Sequence, residues 1–304
     1  MSSEGNYYVP EQSKLPIFAS LGLFLTVFGT ASALNGSDNG TTILFIGFLL
    51  FAFVLWQWFS IVITENMAGM NSVQLKRSYV WGMGWFIFSE FMFFVAFFGA
   101  LYYIRYMSIP WLGGEGDKGV SNMLWPGFEA TWPVMITPDM AANGVAAKVL
   151  GPEQNMSFST VESIWSWLPF WNTVVLLTSS VTVHLAHTGL KNENRKQFNL
   201  WLGLTVALGI IFLILQAEEY IHAYNELGLT LESGVYGTTF YMLTGFHGAH
   251  VTLGTFMLLV MFLRSVFKGH FKHDDSFGFE AASWYWHFVD VVWVCLFLFV
   301  YILG

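Results

Sequence analysis

Apolar residues are concentrated in seven long stretches of the chain, each nearly free of charged side chains. At 1.5 Å of rise per residue, a helix over each stretch is long enough to cross the roughly 30 Å hydrocarbon core of a bilayer. Transmembrane barrel strands are about 10 residues long and alternate in polarity, unlike these stretches. The pattern predicts an all-α integral membrane protein, one seven-helix bundle over residues 1–304, with helices at about 17–34, 42–64, 81–103, 164–190, 197–217, 234–263 and 281–304.

The connections between the stretches predict an orientation. Nine Lys and Arg residues fall on the side of the N-terminus and three on the other, so the N-terminus is expected inside and the C-terminus outside. The residues counted are Lys14, Lys76, Arg77, Lys191, Arg195, Lys196, Arg264, Lys268 and Lys272 against Arg105, Lys118 and Lys148. Turn-forming residues 35–40 predict an antiparallel hairpin of the first two helices. The long outside connection 104–163 is expected to be irregular, and is either a functional cover or a flexible linker.

Composition narrows the class of protein. Hydrophobic residues make up 55% of the chain and charged residues 11%, below the roughly 25% of a soluble domain. The net charge of −8 argues against nucleic acid as a partner. The single cysteine, Cys295, excludes a disulfide framework and Cys-rich metal or c-type haem motifs. The first sixteen residues lack a basic n-region, so no cleavable signal peptide is expected.

Two acids lie well inside predicted spans. Glu90 is the sole Asp, Glu, Lys, Arg or His residue between Trp81 and Tyr103. An acid inside a membrane helix is by default a candidate functional residue, and the alternative is a structural acid that hydrogen-bonds a neighbouring helix. Asp290 lies three residues after His287, and a hydrogen bond between them would lower the cost of burying both. Glu218 and Glu219 are expected to close helix five near the outer surface, where water reaches them.

Histidines form two pairs with i, i+3 spacing, and the members of each pair share one helical face. His184 and His187 lie on the fourth predicted helix, and His247 and His250 on the sixth. Metal bundles with bridging carboxylates use Glu-x-x-His motifs, and no Glu precedes either pair at that offset. Haem ligation needs axial histidines on two facing helices, and two histidines about 4.5 Å apart along one helix axis would not serve stacked haems. Hydrogen-bonded packing histidines are therefore the main interpretation, and a transition metal or haem site remains a weaker one.

Several motifs resemble one membrane protein family. Residues Phe277–Trp293 (FGFEAASWYWHFVDVVW) are similar to the C-terminal signature of subunit III of the haem–copper cytochrome c oxidases. Further similar segments are GVYGTTF at 234–240, TGFHGAHV at 244–251, LQAEEY at 215–220, and Ser89-Glu90 followed by Phe-rich sequence. Together these motifs span most of residues 75–304, whereas the first two helices match mainly in pattern.

The resemblance implies a non-redox subunit of an aa3-type oxidase in a bacterial cytoplasmic membrane. Subunit I would be its main contact and subunit II a further partner, and haem and copper would belong to these partners and not to this chain. Helices 1–2 would splay from helices 3–7 around a cleft that holds phospholipid. Glu90 corresponds to the family's membrane acid, which is associated with this cleft and with oxygen access. The subunit would support proton uptake and protect the catalytic centre during turnover.

Basic residues at the predicted inner surface are candidates for binding phospholipid head groups by charge-assisted hydrogen bonds. The candidates are Lys76, Arg77, Arg264, Lys268 and His270, with Glu65 at the end of the second helix. The alternative interpretation is that the basic residues are ordinary inner-surface anchors. Other functions also stay open: a subunit of a quinol oxidase or of a nitric-oxide-reductase relative, a proton channel that uses Glu90, His247, His250 and Asp290, or a membrane haem or metal enzyme.

Overall fold

Seven long helices dominate the computed structural model, which describes residues 11–161, 163–272 and 276–304, with side chains except at 117–119. We label them α1 (Leu15–Leu34), α2 (Gly40–Met67), α3 (Val73–Tyr103), α4 (Leu168–Lys191), α5 (Arg195–Glu226), α6 (Gly234–Lys268) and α7 (Phe277–Leu296). All seven are long and apolar enough to cross a membrane. No β-strand occurs in the described residues. The predicted all-α fold with seven membrane helices is confirmed. The prediction that there is no cleavable signal peptide rests partly on residues 1–10, which lie outside the described residues.

Several helices differ in length from the apolar stretches that predicted them. α3 begins at Val73, before Trp81, and takes in Lys76 and Arg77. Lys and Arg are good helix formers whose long side chains reach the interface, so charge marks the edge of the apolar layer and not the end of the helix. α4 instead begins at Leu168, after a separate 3₁₀ turn, with a proline in its first turn. Proline suits that place because the first N–H groups of a helix have no partner within it.

α1 and α2 belong to a first compact unit, Met1–Gly82, and form the predicted antiparallel hairpin. Glycines spaced seven residues apart line the contact on both helices. A Cβ atom added to Gly29 would lie 2.2 Å from the Leu44 nitrogen, and one added to Gly47 would lie 2.4 Å from the Thr26 nitrogen. The two backbones therefore touch at positions where any side chain would separate them. Small residues allow this close packing in membranes, where dispersion forces replace the hydrophobic effect.

The second compact unit, Met83–Gly304, is organised around α7. Its Trp286 and Trp293 are fully buried, and each donates an indole hydrogen bond to a hydroxyl of α4: Trp286 to Ser179 over 2.9 Å and Trp293 to Thr173 over 3.0 Å. α7 continues beyond Leu296 as a π-helical segment, Phe297–Ile302. The chain thus forms two compact units. The single domain and the splay of helices 1–2 from helices 3–7 stay predictions.

The connection 104–163 contains several short helical turns around a small core of Ile109, Phe128 and Val134. Within it, Asp139 accepts hydrogen bonds from the backbone N–H groups of Lys148 (2.6 Å) and Val149 (2.9 Å) and from the Asn143 side chain (2.6 Å). These bonds, with the Val149 bond foremost, hold the pKa of the Asp139 carboxyl below its ordinary value. The Asp139 carboxylate thus closes the loop Thr137–Val149.

Acidification is expected to open this loop. Because the folded pKa of Asp139 is lowered, its stabilising contribution is complete above the ordinary pKa of about 3.9 and is lost as the pH falls through the folded pKa. Amide hydrogen exchange at Lys148 and Val149, expressed as protection factors, measures this effect. An Asp139→Asn variant should have low protection at every pH; equal protection in both proteins across the acid range would contradict the assignment.

Candidate functional site

Glu90 of α3 forms a hydrogen bond with His250 of α6. The distance between Glu90 Oε2 and His250 Nε2 is 2.8 Å, and His250 Nδ1 lies 2.6 Å from the carbonyl oxygen of Phe246. The Glu90 side chain is 25% exposed and the His250 side chain 12% exposed, so the pair lies largely inside the bundle. It joins two membrane helices. The sequence grouped Glu90 with His250 only in the proton-channel alternative and did not predict this direct contact.

The hydrogen-bond partners restrict the protons that this pair can hold. A carbonyl oxygen only accepts, so His250 Nδ1 carries a proton. The contact between Nε2 and Glu90 then needs one more proton, placed either on the carboxyl or on the imidazole. A neutral pair and an ion pair differ by the position of that proton and have the same net charge of zero. Net neutrality makes the pair tolerable in a membrane span, where an isolated charge is costly.

Aromatic rings surround the imidazole of His250. Ring centroids lie 4.9 Å away for Phe94, 5.8 Å for Phe93 and 6.4 Å for Tyr285, the last nearly parallel to the imidazole. Phe94 and Tyr285 are themselves buried. Rings limit the access of water from these sides and lower the local dielectric, which strengthens the Glu90–His250 hydrogen bond.

Glu219 is fully buried. The prediction that water reaches its side chain near the outer surface is therefore wrong. Tyr301 Oη donates a hydrogen bond of 2.6 Å to its Oε1, and the Asn172 amide donates one of 3.4 Å to its Oε2. Buried Gln216 lies one turn earlier on α5. The helix continues to Glu226, so positions 216, 219 and 223 share its buried face while Glu218 is exposed. Positions 216, 219 and 223 are separated by three and four residues, as on one face of a helix, and this spacing could have predicted the burial of Glu219.

The remaining histidines separate into different environments. His247 is fully buried, and its Nε2 lies 3.2 Å from the Val289 carbonyl oxygen. His187 Nε2 lies 3.5 Å from Glu280 Oε1, whereas His184 is exposed. No cluster of three or more His, Cys, Asp or Glu side chains suited to a metal is found in the part of the chain that the structure describes. His247 bonds to a backbone carbonyl, and among the described residues it makes no hydrogen bond to Glu90 or Asp290.

His287 and Asp290 are close without forming the expected hydrogen bond. His287 Nδ1 lies 3.6 Å from Asp290 Oδ2 and 2.9 Å from Ser180 Oγ on α4. The shorter distance is a hydrogen bond and the longer one is not. Asp290 is buried, and neither of its carboxyl oxygens has a hydrogen-bond partner among the described residues. The predicted pair is therefore a group of three residues across two helices, in which Ser180 was not foreseen.

At the end of α6, Arg195 of α5 organises the chain that the sequence assigned to lipid binding. Its guanidinium donates to the carbonyl oxygens of His270 (2.8 Å) and Phe271 (2.7 Å) and to Ser265 Oγ (3.1 Å). Arg264 in turn donates to His270 Nδ1 over 3.3 Å and lies 4.7 Å from the centre of the Phe271 ring. Arg195 thus holds the backbone of His270 and Phe271, the two residues that Arg264 contacts. The sequence analysis had counted Arg195 only as one of the positive charges on the inner side.

The other lipid candidates lie at helix ends. Lys268 is exposed in the last turn of α6, and Lys76 and Arg77 are exposed in the first turns of α3. Glu65 is half-buried near the end of α2. Lipid binding by these residues stays a prediction.

Comparisons with known proteins identify relatives along most of the chain. The sequence model of the family described as "Cytochrome c oxidase subunit III" matches residues 5–117 and 156–304, so much of the connection 104–163 lies outside the match. "Cytochrome c oxidase subunit 3" of Hippopotamus amphibius is 36% identical over 296 residues, which cover 97% of this chain and 96% of the relative. The protein of the same name from Drosophila yakuba is 36% identical over 306 residues, 99% of this chain and 98% of the relative.

Proposed function

Because this chain belongs to the cytochrome c oxidase subunit III family, we propose that it serves an aa3-type oxidase of a bacterial cytoplasmic membrane as the subunit that preserves the catalytic partner during turnover. The chain is a multi-pass membrane protein of a non-catalytic family and works in a complex with other oxidase subunits. In the proposal, those partners are subunits I and II, which hold the haem and copper, and cytochrome c is the electron donor. The N-terminus is cytoplasmic and the C-terminus periplasmic.

The Glu90–His250 pair is the observation that supports this proposal. It places an acid in a membrane span with one proton to share over a 2.8 Å contact, so a proton can move between the two groups without a change in the net charge of the site. In the proposal, this site supports proton uptake and oxygen access in the partner because it can hold a proton inside the span without a buried net charge. No redox step takes place on these residues; they hold and position a proton.

Phospholipid binding is the second part of the proposal. Arg264, Lys268 and His270 at the end of α6, and Lys76 and Arg77 on α3, offer donors for phosphate groups, and Glu65 suits a head group with an amine. The contacts of Arg195 with the backbone of His270 and Phe271 support the role of this turn, because a head-group site needs donors held in place. The lipids would in turn stabilise the catalytic partner.

A Glu90→Gln variant of the whole oxidase complex tests the proposal. Glutamine keeps a hydrogen-bond donor for His250 Nε2 but removes the shared proton, so the fold should survive. We expect the variant subunit to co-purify with haem–copper partners and phospholipid in native mass spectrometry, to start at a turnover rate near that of the wild type, and to lose activity several-fold faster during turnover.

Glu218→Gln is the matched control, since the same change is made at an exposed acid of α5. Its inactivation rate should equal that of the wild type. Equal inactivation rates in all three proteins would refute the role of Glu90. Failure to recover the wild-type chain with any haem–copper partner would refute the proposed function as a whole.

A further inference from the structure

Four polar side chains meet in the interior of the second unit, around the carboxyl of Glu219. They are Asn172 of α4, Gln216 and Glu219 of α5, and Tyr301 of the π-helical segment, and none is more than 4% exposed. The Gln216 amide lies beside both the Glu219 carboxyl and the Tyr301 hydroxyl. Asn172 contacts the same carboxyl from α4. We call this group the Glu219 cluster; it joins three separate elements at one enclosed polar point.

The hydrogen bonds within the Glu219 cluster leave several buried atoms unsatisfied. Tyr301 Oη donates a short bond of 2.6 Å to Glu219 Oε1, whereas the distance from Asn172 Nδ2 to Glu219 Oε2 is 3.4 Å, longer than a usual N–H···O bond. Asn172 Oδ1 and both amide atoms of Gln216 make no hydrogen bond within the described residues. A buried polar atom without a partner costs its full desolvation penalty. Three such atoms in one cluster therefore call for a ligand.

The amide of Gln216 specifies the chemistry of this ligand. In either orientation of the amide, Gln216 presents both a donor and an acceptor. A proton on Glu219 would serve an amide oxygen and leave the N–H groups of Gln216 without an acceptor. A metal cation has the same defect, because it accepts no hydrogen bond. Water both donates and accepts, and it is small enough for an enclosed site with two to four polar partners.

The cluster lies near the ends of the elements that form it. Asn172 follows the start of α4 at Leu168 by four residues, about 6 Å of helix. Tyr301 is the penultimate residue of its π-helical segment, which ends at Ile302. Helix ends open more readily than helix centres, and such local opening is enough to admit a small molecule from the surface.

We propose that the Glu219 cluster is a binding site for internal water. A water molecule there accepts a hydrogen bond from the Gln216 amide and donates to Asn172 Oδ1 or Glu219 Oε2. It thereby links α4 to α5 and completes the polar contacts of an otherwise apolar interior. This water is enclosed with the cluster, unlike the surface water that the sequence predicted at Glu219. The inference goes beyond the proposed function and does not depend on it, because it concerns the interior of the second unit alone.

Cryo-electron microscopy tests the site directly. The full-length protein, with the subunits that co-purify with it, is imaged in lipid nanodiscs at a resolution that shows ordered water. The proposal expects a water density within hydrogen-bond distance of the amides of Gln216 and Asn172. A dry cluster, in which Gln216 bonds directly to Glu219 or Asn172, would overturn it. A density with the short distances and the geometry of a bound metal ion would overturn it as well.

Gln216→Leu distinguishes a hydrated cluster from a dry one by the sign of its effect on stability. In a hydrated cluster, leucine displaces the water and leaves Asn172 Oδ1 without a partner, so the midpoint of thermal unfolding should fall by about 2–4 °C, as for one lost hydrogen bond. In a dry cluster, leucine removes two unsatisfied atoms, so the midpoint should rise. Tryptophan fluorescence in detergent measures the midpoint.

Gln74→Leu is the matched control, because Gln74 is an exposed glutamine in the first turn of α3. Its unfolding midpoint should equal that of the wild type. A Gln216→Leu midpoint that is equal to or higher than that of Gln74→Leu would overturn the proposal. The map of the wild-type protein decides the question if the Gln216→Leu protein does not fold.

Discussion

Replacement of Gly47 by leucine is expected to separate α1 from α2 and to unfold the hairpin of the first unit. The Cβ of any residue at this position would lie 2.4 Å from the Thr26 nitrogen and 2.7 Å from the Leu25 carbonyl carbon. Backbone atoms cannot move aside as a flexible side chain can, so the whole helix must shift. Overpacking a well-packed site usually costs 1–3 kcal/mol, and contact with backbone places this variant at about 3 kcal/mol or more. Thermal unfolding in detergent, followed by tryptophan fluorescence, measures the loss.

Gly84→Leu provides the control for this experiment. It makes the same change inside a spanning helix, yet a Cβ at Gly84 meets no atom within 4 Å. Leucine also has a higher helix propensity than glycine, so the control should be as stable as the wild type or slightly more so. If the Gly47→Leu protein unfolded at the same temperature as the Gly84→Leu protein, the close packing of α1 on α2 would be wrong.

The seven helices could be predicted because the bilayer imposes a simple requirement on the chain. Backbone groups in hydrocarbon must be satisfied within one segment, so each long apolar stretch becomes a helix. The antiparallel hairpin followed from the turn-forming residues 35–40 in the same way. Helix ends were harder to predict, as α3 shows: Lys76 and Arg77 interrupt the apolar stretch while the backbone continues in the helix.

The pairing of side chains could not be predicted in the same manner. Both Glu90 and His250 were recognised as candidates, but they are 160 residues apart, and a single sequence carries no register between distant helices. His247 and His250 share a face by spacing, yet the first binds the Val289 carbonyl and the second binds Glu90. The neighbouring helix therefore decides which hydrogen-bond partner each histidine has. Helix periodicity predicts which residues face inward and leaves their partners open.

Glu219 shows how an error in a helix end becomes an error about a site. The predicted helix stopped at Ala217, which left Glu219 at a surface in contact with water. In the structure α5 runs to Glu226, and Glu219 lies on the face that packs against Asn172 of α4 and Tyr301 of the last segment. Its carboxyl therefore joins three parts of the second unit. We therefore expect this end of the second unit to depend on Glu219.

Glu219→Leu should accordingly destabilise the second unit, whereas Glu219→Gln should not. Leucine leaves the Tyr301 hydroxyl and the Asn172 amide as buried donors without an acceptor, each at a cost of about 1–3 kcal/mol in a protein interior. In membranes the unfolded state also finds partners, which reduces the total, so we expect a loss of about 2–3 kcal/mol in the free energy of unfolding. Glutamine retains an acceptor for Tyr301, and its amide can donate to Asn172 Oδ1, which has no partner among the described residues.

Glu218→Leu distinguishes the site from the general effect of removing an acid, because Glu218 is the exposed neighbour on the same helix. Its unfolding free energy should stay within about 0.5 kcal/mol of the wild-type value, as for most surface substitutions. In reversible unfolding in detergent, the wild type, Glu218→Leu and Glu219→Gln should therefore have similar free energies of unfolding, and Glu219→Leu a clearly lower one. Equal losses for the two leucine variants would mean that Glu219 is solvated like its neighbour, and that its hydrogen bonds to Tyr301 and Asn172 do not stabilise the bundle.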